Sequence, residues 1–241
     1  IGLELMTISF YVFVGLRQRD ALSSEAAIKY LVLGAAASAI LFFGVSFIYG
    51  AAGSLRFAAV VSSPQLFTPL GIVGMALVFA GIFFKLSMIP FHMWAPDVYE
   101  GAPAPVAALL AMGSKAAAFA VLLRLVLAVF PPLGGMWLSL LAILAAVSMV
   151  GGNVMAIVQD DVKRMLAYSS IAQVGYMLVG VVAADAAGMK ALLFYLALYA
   201  FANIGAFAVL TAVEAQRGKP DMANVAGLAR TAPVLAAVMT I

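Results

Sequence analysis

The sequence has no cysteine and very few charged residues. None of its 241 residues is cysteine, and only 10% are aspartate, glutamate, lysine or arginine. The absence of cysteine excludes disulfide bonds, thiolate-ligated metal sites and thiol catalysis within this chain. A soluble domain carries about a quarter charged residues, so this chain has too few to keep a surface hydrated. With a hydrophobic fraction of 66%, it is predicted to be an integral membrane protein.

Sequence signatures of nucleotide, metal, haem or quinone binding are also missing. We find no glycine-rich nucleotide loop and no cluster of cysteine and histidine. We therefore assign no redox chemistry, no bound cofactor and no metal to the chain. The sequence pI is about 9.2, but the few basic residues cluster in loops, which is typical of membrane orientation. No nucleic-acid partner is expected.

The apolar runs predict membrane-spanning helices. They continue for about 20 residues without alternation, which favours helices over a barrel. We predict an all-α, polytopic transmembrane helix bundle forming a single domain over residues 1–241, with about seven or eight spans. The sequence starts with Ile1 and opens and closes in apolar segments, so we expect an internal piece of a longer protein. The predicted spans are 1–16, 26–49, 69–91, 103–130, 136–158, 162–183, 189–212 and one beginning near Thr231.

The third predicted span contains a break at Pro90. Proline lacks a backbone donor and clashes with the preceding turn, so the helix must kink or break there. A short amphipathic segment, 94–100, follows the break. His92, the only histidine, lies just past Pro90. It is either a proton relay, since its unperturbed pKa is near neutral, or a packing residue.

Four ionisable residues are predicted to lie inside the membrane: Glu4, Lys29, Lys85 and Lys115. Glu4 is roughly 18 Å of helix from the next loop, which places it near mid-membrane. Each buried charge costs roughly 2.5–3.5 kcal/mol, so such residues suggest an ion pathway. A carboxylate that approaches and leaves a buried lysine can load and release a proton. The alternatives are structural ion pairs and, for Lys29 near a helix end, snorkelling to the surface.

Other polar residues are expected to have structural roles. Ser23 or Ser24 is a candidate N-cap of the second span, and a polar loop is predicted over 214–221. Asp97 and Glu100 are expected to cap and orient the short segment, and residues 160–164 to form a solvated loop at a helix start. Three side chains of the sixth span either line a hydrated path or bond between helices: Ser169, Ser170 and Gln173.

Loop charges predict the orientation of the chain. The side with more basic residues is assigned to the cytoplasm. It collects Arg17, Arg19, Lys163, Arg164, Arg217, Lys219 and Arg230. The segments 26–33 and 187–194 are weakly similar and start on opposite sides, as in an inverted repeat. Chance similarity between apolar helices explains the likeness of the two segments equally well.

At these residues the sequence resembles a known family. Residues 85–106 read Lys-Leu-Ser-Met-Ile-Pro-Phe-His-Met-Trp-Ala-Pro-Asp-Val-Tyr-Glu-Gly-Ala-Pro-Ala-Pro-Val, and Gly-Ser-Lys follows at 113–115. Together with 25–30 and 152–171, these segments are similar to the antiporter-like membrane subunits of respiratory complex I, in the N-type form. The resemblance covers nearly the whole chain. It implies an antiporter-like fold with two inverted five-helix repeats and a broken helix in each.

The resemblance also implies roles for individual residues. Glu4 matches the family's glutamate in the fifth span, and Lys29 matches its sixth-span lysine. Lys85 matches the lysine beside the first broken helix, and Lys115 the central lysine of the eighth span. Gln173 stands where many members have histidine, which puts a histidine relay at that position in doubt.

The function implied is proton translocation by a membrane subunit of NADH:quinone oxidoreductase. NADH and quinone would be used elsewhere in that complex. The partners would be adjacent antiporter-like subunits, small membrane subunits and the lipid bilayer, and the location the bacterial plasma membrane. Alternatives are a subunit of a cation/proton antiporter, a subunit of a related ferredoxin- or hydrogenase-linked complex, and a structural scaffold without its own pump stroke.

Overall fold

The chain is an α-helical bundle. The computed structural model describes residues 2–17, 19–129 and 135–240. Within these ranges the α-helices are α1 (Gly2–Val14), α2 (Ala21–Ala52), α3 (Phe57–Ser62), α4 (Pro69–Leu86), α5 (Trp94–Gly101), α6 (Ala104–Leu109), α7 (Lys115–Val129), α8 (Gly135–Ile157), α9 (Val162–Val182), α10 (Ala186–Arg217), α11 (Met222–Val225), α12 (Leu228–Thr231) and α13 (Pro233–Met239). A 3₁₀ turn, Pro64–Phe67, precedes α4.

In the described part of the chain, six helical segments are long and apolar enough to cross a membrane. They are α2, α4, the continuous run Ala104–Leu127, α8, α9 and α10. The all-α, multi-pass fold class predicted from the sequence is confirmed. α1, which has 13 residues, and α13 are shorter. The predicted ends at Ile1 and Phe130 lie outside the described residues.

The second span is longer than predicted and has a different cap. α2 has 32 residues, which is roughly 48 Å at 1.5 Å per residue. Its N-cap is Asp20, whose carboxylate accepts from the Leu22 N–H at 3.0 Å. The prediction of Ser23 or Ser24 as the cap is wrong. Ser23 is inside the helix, and its hydroxyl donates to the Val14 carbonyl at 2.7 Å, joining α1 to α2.

α10 also extends further than predicted. Asp185 caps its start, accepting from the Gly188 N–H at 2.6 Å. The helix continues through Arg217 and ends at Gly218, which has a φ of 84° that favours glycine. Glu214 is therefore a helical residue, and the prediction that it begins a polar loop is wrong. It is held in the helix end by the basic partners described below.

The break in the third span begins before Pro90. α4 ends at Leu86, where Ser87 adopts a left-handed conformation with φ 57°. α5 resumes at Trp94, so a break in the region of Pro90 is confirmed and covers 87–93. The Trp94 indole donates to the Phe84 carbonyl at 2.9 Å. This bond ties the two half-helices together and satisfies a carbonyl near the end of α4.

A π-helical segment interrupts the fourth span. Residues Leu110–Ser114 separate α6 from α7, and Lys115 follows the segment directly. Short π segments within α-helices occur often at functional sites. The apolar pattern predicts one regular helix here, and no local feature of the sequence indicates the π segment.

Two tightly packed helix pairs frame the bundle. α2 packs along α4, and α8 packs along α9. A Cβ atom at Gly152 on α8 would lie 2.6 Å from the Ala172 nitrogen and 2.9 Å from the Tyr168 oxygen, both backbone atoms of α9. Glycine lets the two backbones approach, as is common between membrane helices. α5 lies against both α2 and α9 and so connects the two pairs.

Candidate functional site

Lys85 lies in a buried polar site between three helices. Its side chain is 1% exposed, and its Nζ lies 3.2 Å from Oε1 of Glu4 on α1. It also donates to the hydroxyl of Thr7 on α1 at 3.0 Å. The sequence analysis grouped Glu4 and Lys85 as buried ionisable residues, and the structure brings them together. An ammonium and a carboxylate at this distance can exchange a proton.

The third helix of this site contributes a hydroxyl that the sequence analysis missed. Ser38 on α2 donates to Oε2 of Glu4 at 2.5 Å and lies 3.4 Å from the Lys85 Nζ. Serines are common in apolar helices, where they often bond to their own backbone. Ser38 therefore carried no signal in the sequence.

Lys115 occupies a second buried site without an acid. It is 1% exposed and donates to the carbonyl and hydroxyl of Ser170 on α9, at 3.0 and 2.8 Å. In the described part of the chain it forms no ion pair. The Ser170 hydroxyl in turn donates to the Ala167 carbonyl at 2.7 Å. Of the two interpretations of Ser170, bonding between helices is confirmed.

Polar side chains of α9 and α10 line a cavity. The Tyr199 side chain is buried and lines a cavity of about 510 Å³ together with Gln173 and Tyr195. The Tyr195 hydroxyl donates to the Gln173 side-chain oxygen. Tyrosines on α10 thus stand beside Gln173 on α9. Gln173 was a predicted polar residue of the sixth span, whereas neither tyrosine was predicted to have a role.

Lys29 is partly exposed, so of its two interpretations the structure favours a side chain that reaches the surface over a buried charge. Its side chain is 43% exposed, and its Nζ lies 2.7 Å from carboxylates of both Glu25 and Asp97. It lies in the first turns of α2, where a flexible side chain can reach the helix end. His92 is partly buried in the break. Neither side chain is among the described bonding partners of Lys85.

Asp97 and Glu100 on α5 do not cap their own helix, so that part of the expectation is wrong. They do orient the short segment, because they join it to neighbouring helices. Arg164 on α9 donates to both carboxylates, at 2.6 and 3.0 Å. Asp97 also binds Lys29 on α2, and Glu100 binds Lys219 after α10 at 3.0 Å. The pKa of Lys219 is raised by its hydrogen bond to Glu100. This ionic network, Lys29–Asp97–Arg164–Glu100–Lys219, holds α5 to its neighbours.

The segment expected to be a solvated loop is largely buried. Lys163 has a 3% exposed side chain that lies 2.8 Å from Glu214 and donates to the Ala102 carbonyl at 2.9 Å. Arg17 contacts the same glutamate at 2.5 Å. Asp161 caps α9, accepting from the Arg164 N–H at 2.9 Å, and burial raises its pKa. The expectation of solvation is wrong because the ends of α9 and α10 pack together.

The ionic network and the ion pairs of Glu214 lie on one face of the bundle. Much of the side that was predicted to carry more basic residues is therefore at this face. Arg17, Lys163, Arg164 and Lys219 all meet acidic partners there. The assignment of this face to the cytoplasm stays a prediction. Within 2–17, 19–129 and 135–240, no group of three or more histidine, aspartate or glutamate side chains is placed to hold a metal ion.

Comparison with known proteins gives the family. The transmembrane family described as "NADH:quinone oxidoreductase/Mrp antiporter, TM" matches residues 1–241. The chain belongs to this family. The resemblance seen in residues 85–106 is therefore confirmed.

Relatives within the family include complex I subunits. NADH-quinone oxidoreductase subunit N of Heliobacterium modesticaldum is 51% identical over 100% of this chain and 51% of its own length. A chain of respiratory complex I from Thermus thermophilus is 40% identical, with a TM-score of 0.81 over 97% of this chain and 50% of that one. A chain of the Mrp complex from Dietzia shares the fold, with a TM-score of 0.89 at 24% identity, over 99% of this chain and 45% of that one. The chain spans about half the length of the curated relatives it matches.

Proposed function

We propose that this chain is a proton-translocating membrane domain of an NADH:quinone oxidoreductase, of the subunit N type, in the bacterial plasma membrane. Protons would move among Glu4, Lys85 and Lys115 while electrons move elsewhere in the complex. The complex would use NADH and quinone, and this chain would bind neither. Its partners would be neighbouring antiporter-like and small membrane subunits.

The observation that carries the proposal is the pair of fully buried lysines in two different environments. Lys85 has a carboxylate at 3.2 Å, and Lys115 has hydroxyl and carbonyl partners only among the described residues. A stable helix bundle does not require such groups, because buried charges are expensive and apolar packing can replace them. A site that takes up and releases protons does require them. His92 and Lys29 remain candidates, although the exposed ion pairs of Lys29 favour a structural role.

The alternative is a subunit of a cation/proton antiporter. The fold supports both readings, because the Mrp complex from Dietzia shares it. The sequence favours the oxidoreductase, because the relatives at about half identity carry the subunit N name.

The test is proton pumping by the full complex in membrane vesicles. Lys85→Ala and Lys115→Ala are compared with Lys190→Ala, which removes an exposed lysine of α10. We expect pumping and NADH-to-quinone electron transfer to fall steeply in the first two variants and to persist in the third, with the complex assembled in all three. Wild-type pumping in assembled Lys85→Ala and Lys115→Ala complexes would show that both lysines are structural.

A further inference from the structure

The Glu4–Lys85 pair is held by a serine whose hydroxyl bonds differently from most of its helical counterparts. In the nearby helices α1 and α2, Thr7, Ser9 and Ser46 donate to carbonyls of their own helix. This is the usual behaviour of hydroxyls within helices. Ser38 instead donates across the interface to the Glu4 carboxylate at 2.5 Å. Ser38 is 9% exposed, so water does not replace this hydrogen bond readily.

Ser38 contacts both members of the pair. Its oxygen lies 3.4 Å from the Lys85 Nζ while its proton is donated to Glu4. A hydroxyl has one donor and two acceptor positions, so it can serve the carboxylate and the ammonium together. Binding Oε2 of Glu4 leaves Oε1 facing the lysine at 3.2 Å. The serine therefore sets the rotation of the carboxylate relative to the amine.

We propose that Ser38 is a positioning residue for proton exchange between Lys85 and Glu4. This inference rests on the proposed function. In the exchange one proton leaves the Lys85 ammonium and binds Oε1 of Glu4, giving a neutral amine and a neutral carboxylic acid, and the reverse step restores both charges.

The hydroxyl keeps its role in both states because it can rotate. With Glu4 ionised, it donates to Oε2. With Glu4 protonated and Lys85 neutral, the same hydroxyl can turn to donate to the amine nitrogen. An alanine can do neither, so the carboxylate would lose its fixed orientation. Small errors in the placement of reacting groups reduce rates strongly.

The experiment compares three substitutions of Ser38 in the full complex, in vesicles, with assembly measured in each sample. Ser38→Ala removes the hydroxyl, Ser38→Cys keeps the approximate size with a weak donor, and Ser38→Thr keeps the hydroxyl. The matched control is Ser46→Ala on the same helix, whose hydroxyl donates to the Phe43 carbonyl. Lys85→Ala is included to test the proposed function itself.

We expect Ser38→Ala and Ser38→Cys to pump roughly tenfold more slowly, since the first loses and the second weakens a hydrogen bond to a charged group. Ser38→Thr should recover most of the rate, and Ser46→Ala should match wild type. Recovery by threonine separates the hydroxyl from mere packing, because alanine is the smaller change in volume.

Two outcomes would overturn the inference while leaving the proposed function intact. One is wild-type pumping in Ser38→Ala or Ser38→Cys when Lys85→Ala is inactive. The other is an equal loss in Ser38→Thr and Ser38→Ala. If Ser38→Ala fails to assemble, the rate of Ser38→Cys decides. Wild-type pumping in Lys85→Ala would instead overturn the proposed function and this inference together.

Discussion

Replacing a buried lysine by methionine should lower stability at Lys85 but not at Lys115. Lys115 has no carboxylate partner among the described residues, and both of its bonds go to Ser170. Ser170 keeps its hydroxyl bond to Ala167 when the lysine is gone. Lys115→Met therefore removes the cost of burying an ammonium and leaves no charge behind. We expect stability to be unchanged or raised by about 1–4 kcal/mol.

Lys85→Met differs because Glu4 remains. The Glu4 side chain is 16% exposed, and its Oε1 faces Lys85. Removing one partner of a buried ion pair typically costs about 3–5 kcal/mol, because the other charge is left uncompensated. The two lysine variants should thus differ by at least about 3 kcal/mol. Adding Glu4→Gln to Lys85→Met should recover most of the loss.

The assay is thermal unfolding of the purified complex. At each temperature, native gels measure the fraction of this chain that is still assembled. Wild type, both lysine variants and the double variant are heated in parallel. Proton pumping is measured before heating, and we expect it to be low in all three variants. Equal destabilisation by Lys115→Met and Lys85→Met would refute the reasoning, because it would mean that the carboxylate does not distinguish the two sites.

Two further predictions concern the frame of the bundle. Gly152→Ala should destabilise the α8–α9 pair by about 1–3 kcal/mol in the same unfolding assay, because the new Cβ would meet backbone atoms of α9. Gly113→Ala is the control and should be tolerated, because a Cβ there meets nothing within 4 Å. Equal effects of the two substitutions would argue against close packing at Gly152. The stabilisation of the fold by the Lys219 ion pair should be complete at neutral pH, since the pKa of Lys219 is raised above 10.5 by Glu100, and should be lost only as pH rises through the folded-state pKa. The stability difference between wild type and Lys219→Met should therefore be constant near neutrality and shrink in strong alkali. A difference that shrinks near neutral pH would contradict this.

The sequence was sufficient for the membrane helices and for the break. Apolar runs and a proline within one of them follow from local chemistry, so α4, α8 and α9 were predicted within a few residues. The start of the break was not, because Ser87 takes its left-handed conformation within a packed helix end. The end of α10 was missed because Glu214 is polar but is bound by Arg17 and Lys163 from other parts of the chain. The start of α2 was missed because Ser23 bonds to the Val14 carbonyl of α1.

The sequence predicted which ionisable residues belong to the candidate site, but not which of them contact each other. Glu4 and Lys85 were recognisable because a charge in an apolar run is rare. Lys163 and Glu214 looked like loop residues, since nothing local indicates that two helix ends 51 residues apart meet. Hydroxyls such as Ser38 give no signal at all, because their role depends on which helix lies opposite. Tertiary contacts decided each of these cases.

The π segment before Lys115 fixes the angular phase of that helix. Each residue turns an α-helix by about 100°, and a π segment accommodates one additional residue. The widened turn Leu110–Ser114 takes up that residue without turning the rest of the span. In regular winding the same residue would rotate everything after it by about 100°, and Lys115 would no longer point at Ser170 on α9 while α6 packs on α10. The π segment thus lets one span keep contacts with two different helices on either side of an extra residue.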